Sequence, residues 1–374
     1  MRSWSDFRAA RPAAHVIHLD SAAAGRSSVG TLRAVAEHAE LEAETGAYVA
    51  QDLASGLIGD GRARLAGLLG VEPAGLIFTE SATSAMATLL SVWPLAEGDT
   101  VAVVPSEWGP NLAAFTHRGL RIHELPVTDG GTIDIAALGK LLADAPPAAV
   151  HLTQVASHRP LVQPVAAVAE ICRAAGVPLW VDAAQALGHV DTASGADAIY
   201  APSRKWLTGP RGVGMLAVNR RWWDKLLIVP PRLTESVADV PPLRPLEFRE
   251  AHAAGWVGLA QAVSEFLDAG PEAVWARLAA VGALTRGMLG DLPGWEVVGE
   301  ISAPSAITAL RPTDGQDVAT VRARLLAEHR IVTTAAQPYR APGEMKSTYL
   351  RVSPHVDCTE QDLNQLHAAL RALT

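Results

Sequence analysis

The chain has 374 residues, enough for two or three cores at ~150 residues each. Apolar residues make up 49% and charged residues 19%, with Gly 31 and Pro 25 scattered along the whole length, which excludes a disordered or fibrous chain. A net charge of -8 without any basic run argues against nucleic acid as a partner.

The first twenty residues carry Arg2, Asp6, Arg8 and Arg11 and no uninterrupted apolar run, and no later segment approaches ~18 consecutive apolar residues. No membrane partner is expected, and the cytoplasm is the expected location. Cys172 and Cys358 belong to no CxxC pair, which removes both a disulfide framework and a cysteine-based zinc site and fits a reducing compartment. None of the 12 histidines lies in HExxH, so no metal site is predicted.

From Leu76 onward, short apolar runs alternate with segments of helical spacing, the pattern of an α/β sheet. Strands are predicted at 76–79, 101–104, 149–154, 179–182, 198–201 and 213–218. Helices are predicted at 82–93, 111–118 and 165–175. A Pro-rich stretch, 229–245, reads as irregular surface chain. Long helices at 253–267 and 272–289 lead into a smaller α/β unit with strands near 306–310, 331–334 and 348–353 and helices at 316–328 and 360–373. Thr359 is the expected cap of the last helix. The expected organisation is a large, mostly parallel sheet domain, 16–269, with a smaller α/β domain formed by 1–15 and 270–374.

Ligands of open α/β sheets bind at the carboxyl ends of strands. There, Trp180-Val181-Asp182-Ala183-Ala184-Gln185 offers a carboxylate and an amide, and Ser203-Arg204-Lys205 offers a lysine one strand later. A carboxylate that pairs with a protonated ring nitrogen and a lysine free to form a Schiff base are what a pyridoxal phosphate enzyme needs. The hydroxyl-rich turn from Thr79 to Ser84 opens a helix whose N–H groups, with Thr83, could cradle a phosphate. Each feature alone is more often a helix cap or a solvated charge. Their order in one chain carries the reading.

Together with Leu19-Asp20-Ser21-Ala22-Ala23, Glu107-Trp108 and the Gly209-Pro210-Arg211-Gly212-Val213-Gly214 loop, these segments resemble the class V aminotransferase and cysteine desulfurase group of fold-type I pyridoxal phosphate enzymes. The resemblance spans nearly the whole chain. It implies that Lys205 bears the pyridoxal 5'-phosphate, Asp182 pairs with the pyridine nitrogen, Gln185 contacts the ring hydroxyl, and Ala82 and Thr83 bind phosphate with Ser203 and Arg204. Trp108 falls where a ring stacks on the cofactor. Arg351 matches the arginine that clamps an amino acid carboxylate. Gln154, Ser21 and Ala22 fall near the same substrate, and His252 could reach the phosphate of a partner subunit, since sites of this group lie at a homodimer interface.

One departure narrows the chemistry. Desulfurases of the group carry a nucleophilic cysteine in the loop before the arginine strand, and here that loop, 335–347, has none. Cys172, on an apolar helix face, reads as core. Elimination, racemisation or transamination remain, and whole-chain likeness within the group implies a carbon–sulfur lyase acting by β-elimination on an amino acid-derived substrate. For a cationic part of that substrate, Tyr339 and Trp206 are candidate aromatic contacts. A non-catalytic binding protein on the same fold is the alternative from another class, opposed by the joint presence of Asp182, Gln185 and Lys205.

Overall fold

The computed structural model describes residues 4–228, 241–247 and 250–373; most of the Pro-rich stretch, 229–240, lies outside the described residues. Among the described residues thirteen strands form: β1 Ile17–His18, β2 Leu76–Thr79, β3 Thr100–Val103, β4 Arg121–Glu124, β5 Ala149–Thr153, β6 Leu179–Asp182, β7 Ala198–Pro202, β8 Gly214–Val218, β9 Trp295–Val298, β10 Thr308–Pro312, β11 Ile331–Val332, β12 Thr334–Ala336 and β13 Tyr349–Val352. The large sheet has the order β2-β8-β7-β6-β5-β3-β4. β7, β6, β5, β3 and β4 run parallel, whereas β8 is antiparallel to both of its neighbours. Two reversals restore direction, so β2 also ends on the edge where β5, β6 and β7 end.

The inner strands are buried on both faces, which is why they read as continuous apolar runs. Leu76, Phe78, Leu179, Val181, Ile199 and Ala201 join one core, and Ile77, Trp180, Ala198 and Tyr200 join the other. β4 escaped the sequence reading because all four of its residues are exposed at the sheet edge. The region ahead of β2 also went unread. It forms the helices Val29–Thr45, Ala47–Leu53 and Ser55–Leu69, of which the first and third pack on the helix Ala253–Ala269.

A four-stranded antiparallel sheet, β12-β13-β10-β9, and the parallel pair β1–β11 make the smaller unit. β1 lies within the span expected for the large domain, yet it pairs with β11, and Leu19 packs into the smaller unit's core. Residues 331–334 form two short strands rather than one, with β11 on β1 and β12 on β13. Thr359 and Asp362 cap the last helix reciprocally, as the sequence suggests.

Two buried imidazoles join the units. His189 Nδ1 donates to the Gln185 carbonyl at 2.8 Å, its Nε2 accepts from Ala306 N–H at 2.8 Å, and its ring stacks on Trp206 at 4.0 Å. His355 donates to the Trp206 carbonyl at 3.0 Å. Burial holds His189 neutral, its pKa lowered to about 3, and burial with the charge of Arg11 lowers that of His355 to about 4. Both folded values lie below the ordinary ~6.5, so between pH 6.5 and 4 the unfolded chain binds more protons. Stability is therefore expected to be full above pH ~6.5 and to fall on acidification, by at most ~1.4 kcal/mol per pH unit for each imidazole. Urea unfolding across that range should show His189→Asn to be less stable near neutrality and less pH-dependent than the parent. An unchanged slope would remove His189 from the account.

Candidate active site

β5, β6 and β7 place Thr153 opposite Asp182 and Asp182 opposite Tyr200. Alternate side chains share a face, so His151, Thr153, Asp182 and Tyr200 all point to the same side of the sheet. The loop after β3 brings Glu107, and the helix Gly109–His117 that follows brings Asn111, over them. Asn111 Nδ2 donates to Glu107 Oε1 at 2.8 Å and to Asp182 Oδ2 at 3.0 Å, and Ala184 N–H donates to Asp182 Oδ1 at 2.8 Å. Glu107 further accepts from Thr153 Oγ1 at 2.6 Å and from its neighbour Trp108 N–H at 2.8 Å, and its Oε2 meets His151 Nδ1 at 2.8 Å. The other imidazole nitrogen reaches the Tyr200 hydroxyl at 2.9 Å.

This buried network sets the charge of the pocket floor. Burial raises the Asp182 carboxyl above its ordinary value, the charge of Glu107 adds to the rise, and the Asn111 bond and the charge of Lys205 oppose it. Burial acts the same way on Glu107, but His151 and the bonds from Thr153 and Asn111 outweigh it and hold that carboxyl below its ordinary value. Tyr200 is pushed well above 10 by burial and by the two carboxylates. A floor with two acidic groups and one phenol kept neutral favours a cation placed against it.

Lys205 follows β7 in a loop held from below by the N-terminal segment. Gly25 N–H donates to the Arg204 carbonyl at 2.7 Å, and a Cβ on Gly25 would stand 2.3 Å from the Lys205 carbonyl oxygen, so only glycine allows that approach. Thr208 closes the loop at φ 56°, a left-handed conformation that is strained for a β-branched residue. Burial lowers the Lys205 pKa to about 7, against the pull of Asp182 and with help from the charges of Arg204, Arg351 and Arg340. Its amine is thus partly free at neutral pH.

Facing Lys205 is the helix Ala82–Val92 that follows β2. A reciprocal cap between Ser81 and Ser84 satisfies the third helical N–H, while Ala82 and Thr83, whose N–H groups have no intrahelical partner, line the pocket. Arg204 and Trp108 line it too. A helix N-terminus with a guanidinium suits a phosphate, the acidic floor suits a protonated ring nitrogen, and the amine suits an aldehyde carbon. The residues present therefore fit pyridoxal phosphate. Gln185 has one amide hydrogen on the Ala22 carbonyl at 2.9 Å and accepts from the Trp206 indole at 2.8 Å, which leaves its second N–H for a ligand.

Not every expected residue reaches this pocket. The Ser203 hydroxyl turns onto the Pro210 carbonyl and ties the lysine loop instead. Gln154 points the other way, donating to the Asp191 carbonyl at 2.7 Å beside a separate cavity near Val162 and Pro304. Ser21 borders a third cavity and meets the site only through its backbone neighbours. His252 is exposed at the helix start, 3.9 Å from where a Cβ on Gly212 would stand, and Gly212 itself lines the pocket. Trp206 is buried behind Gln185, whereas Tyr339 stays 54% exposed near Trp108. Arg351 lies fully buried, bonded to the Ser157 carbonyl at 2.8 Å and to Asp20 at 3.0 Å, and it is Ser157 that lines the pocket. Both cysteines are buried, their thiols pushed up to about 12 by burial.

The sequence reading missed Asn111, His151, Thr153, Ser157, Tyr200 and Arg340. A usable signal existed for three of them. His151 and Thr153 interrupt an apolar run with polar groups at alternate positions, and Tyr200 sits two residues into the next run at the matching register.

Comparison with known proteins agrees with this geometry. The family described as aminotransferase class-V matches residues 17–366. A probable hercynylcysteine sulfoxide lyase of Mycobacterium tuberculosis is 47% identical over 372 residues, 98% of this chain and 93% of that protein. An isopenicillin N epimerase of Amycolatopsis lactamdurans is 30% identical over 85% of each chain. Among solved structures, a cysteine desulfurase from Thermococcus onnurineus superposes with a TM-score of 0.89 at 20% identity, over 100% of this chain and 98% of the other. The cystine C-S lyase C-DES in complex with cysteine persulfide superposes at 0.85 with 18% identity, over 96% and 98%. The chain belongs to the class V aminotransferase family of fold-type I pyridoxal phosphate enzymes.

Proposed function

We propose that the protein is a pyridoxal phosphate-dependent lyase that cleaves the C–S bond of hercynylcysteine sulfoxide by β-elimination. The chemistry rests on one observation: an amine of lowered pKa, a buried carboxylate and a free helix N-terminus converge on a single pocket. The substrate rests on the near full-length likeness to the mycobacterial lyase. The bound cofactor supplies an electron sink for the carbanion formed at Cα. Asp182, backed by Glu107, would hold a proton on the ring nitrogen, and Arg204 with the N–H groups of Ala82 and Thr83 would hold the phosphate. Lys205 would carry the cofactor and, once freed by the substrate amine, would take the Cα proton. As the C–S bond breaks, its electron pair leaves with sulfur as a sulfenate, and hydrolysis of the remaining three-carbon fragment gives pyruvate and ammonia. Two equivalents of an external thiol reduce the sulfenic acid to ergothioneine. Arg351 would orient the amino acid carboxylate beside Ser157, with Ala22 at the same wall.

The epimerase relative favours a second reading, racemisation at Cα. Lys205 is the one amine among the described residues lining the pocket, so inversion would need a second lining group, such as the Tyr200 phenol, to protonate the opposite face of Cα. Incubation with hercynylcysteine sulfoxide is expected to release one pyruvate per substrate consumed, with no inversion in the residue; inverted substrate without pyruvate would favour the second reading. Lys205→Ala is expected to lower turnover by at least ~10³-fold, and Glu107→Gln by about tenfold with the cofactor still bound. Because a pKa near 7 governs the free amine, covalent loading of the apoprotein, trapped with borohydride, should rise about tenfold from pH 5 to 6 and level off above about 8. A rise continuing to pH 10 would contradict a lowered pKa.

We further propose a cytoplasmic homodimer with its sites at the interface, acting on a small amino acid-derived substrate, with 16–269 as the cofactor-binding unit and 1–15 plus 270–374 as the smaller one, which β1 joins by pairing with β11. Among the described residues no helix is long and apolar enough to cross a membrane. Val49 and Leu53 on the helix Ala47–Leu53 and Leu57 on the next helix, Ser55–Leu69, form an apolar stripe, 51%, 67% and 52% exposed. That stripe supports self-association. Scattering is expected to give a dimer, and the double variant Leu53→Glu, Leu57→Glu a monomer with depressed activity; a monomeric parent would overturn the assignment.

A further inference from the structure

The loop that holds a nucleophilic cysteine in desulfurases is here a fixed wall. Its turn, Pro338–Arg340, presses so closely on the helix start after Trp108 that a Cβ on Gly109 would lie 1.9 Å from the Tyr339 carbonyl oxygen. Farther along, Glu344 accepts from Arg159 Nε at 2.8 Å and from its terminal nitrogen at 2.9 Å, and also meets His158. Ala341 and Met345 are buried against Ala309, Ala336 and Tyr349.

This wall delivers Arg340 to the pocket. Its guanidinium carbon lies 5.5 Å from the centre of the Trp108 ring and 5.9 Å from that of Tyr339. Among the described residues no carboxylate comes within ion-pair distance of it, and its Nε is buried without a hydrogen-bond partner. A partly buried guanidinium without an anion is costly, and a planar fork of donors is best matched by a carboxylate. The phosphate would have Arg204 and two helix N–H groups, and the amino acid carboxylate would have Arg351, which lies behind Ser157 and pairs with Asp20.

We propose that Arg340 binds the second carboxylate of the substrate, the one on the leaving-group side of the C–S bond. The proposal rests on the substrate reading above. In hercynylcysteine sulfoxide that carboxylate shares its carbon with a trimethylammonium group. A cation with two aromatic rings beside it matches such a betaine: Arg340 takes the carboxylate, and the Trp108 and Tyr339 rings take the quaternary ammonium. Arg340 is thus a specificity residue and has no part in the proton transfers.

The test uses cofactor-loaded parent, Arg340→Gln and Arg340→Lys enzymes with two substrates, hercynylcysteine sulfoxide and the analogue in which hydrogen replaces the betaine carboxylate. Arg340→Gln is expected to raise KM for the first substrate about tenfold to a hundredfold with little change in kcat, and to leave the analogue's KM at the parent's value. Arg340→Lys should restore part of the loss. Calorimetric binding of hercynine, which lacks the cysteine half, should weaken to match, while trimethylhistamine binding stays unchanged. Equal losses on both substrates, or no loss on either, would overturn the proposal and leave the lyase reading standing. A parent enzyme inactive on hercynylcysteine sulfoxide would overturn both.

Discussion

Everything in the site depends on one electrostatic arrangement: a buried carboxylate facing a buried amine across a single pocket. Asp182 and Lys205 stand at the ends of adjacent strands, and burial drives both towards neutrality. For the amine this is useful, because an unprotonated lysine near pH 7 can attack a carbonyl carbon and later accept a proton. For the carboxylate it would be harmful, since a neutral Asp182 could not hold a proton on a ring nitrogen. Asn111, the Ala184 N–H and the positive end of Lys205 counter that tendency. A bound pyridinium would complete the compensation, so the apoprotein's floor is arranged for a cation it does not itself contain.

The sheet makes this possible through register. A shift of one residue in β5 would turn His151 and Thr153 to the opposite face and break the chain of contacts from Thr153 through Glu107 and Asn111 to Asp182. Burial of both faces opposes that slip strongly, because it would turn apolar side chains of one core onto the other core's polar floor. The helices and the second unit act on the same edge. β2 delivers a helix N-terminus, the N-terminal segment supports the lysine loop through Gly25, and His189 ties the Gln185 turn to the strand-leading residue Ala306.

Much of this was legible in the sequence. The strands 76–79 and 179–182 and the helix 165–175 have the expected ends because apolar runs bounded by turn residues leave little choice. Lys205, Asp182, Thr83 and Trp108 line one pocket because the end of β6 and the loops and helix starts that follow β7, β2 and β3 meet at one edge of the sheet. What stayed hidden depends on side-chain direction. Gln154 and Ser203 lie within a residue or two of pocket-lining positions but point elsewhere, and neither outcome follows from spacing. Arg340 was invisible for a different reason: its loop was read for the cysteine it lacks, and only the docking of that loop on Gly109 and Arg159 shows what it offers instead. The exposed edge strand β4 and the N-terminal helices went unread because their apolar spacing is weak.

The central claim is that the floor formed by Asp182 and Glu107 holds a proton on the ring nitrogen of the bound cofactor. Nitrogen-15 NMR of protein loaded with pyridoxal phosphate labelled at that atom reads this directly. A pyridinium signal is expected throughout pH 6 to 9 in the parent, replaced by the free-base signal in Asp182→Asn. A free-base signal in the parent at neutral pH would contradict it.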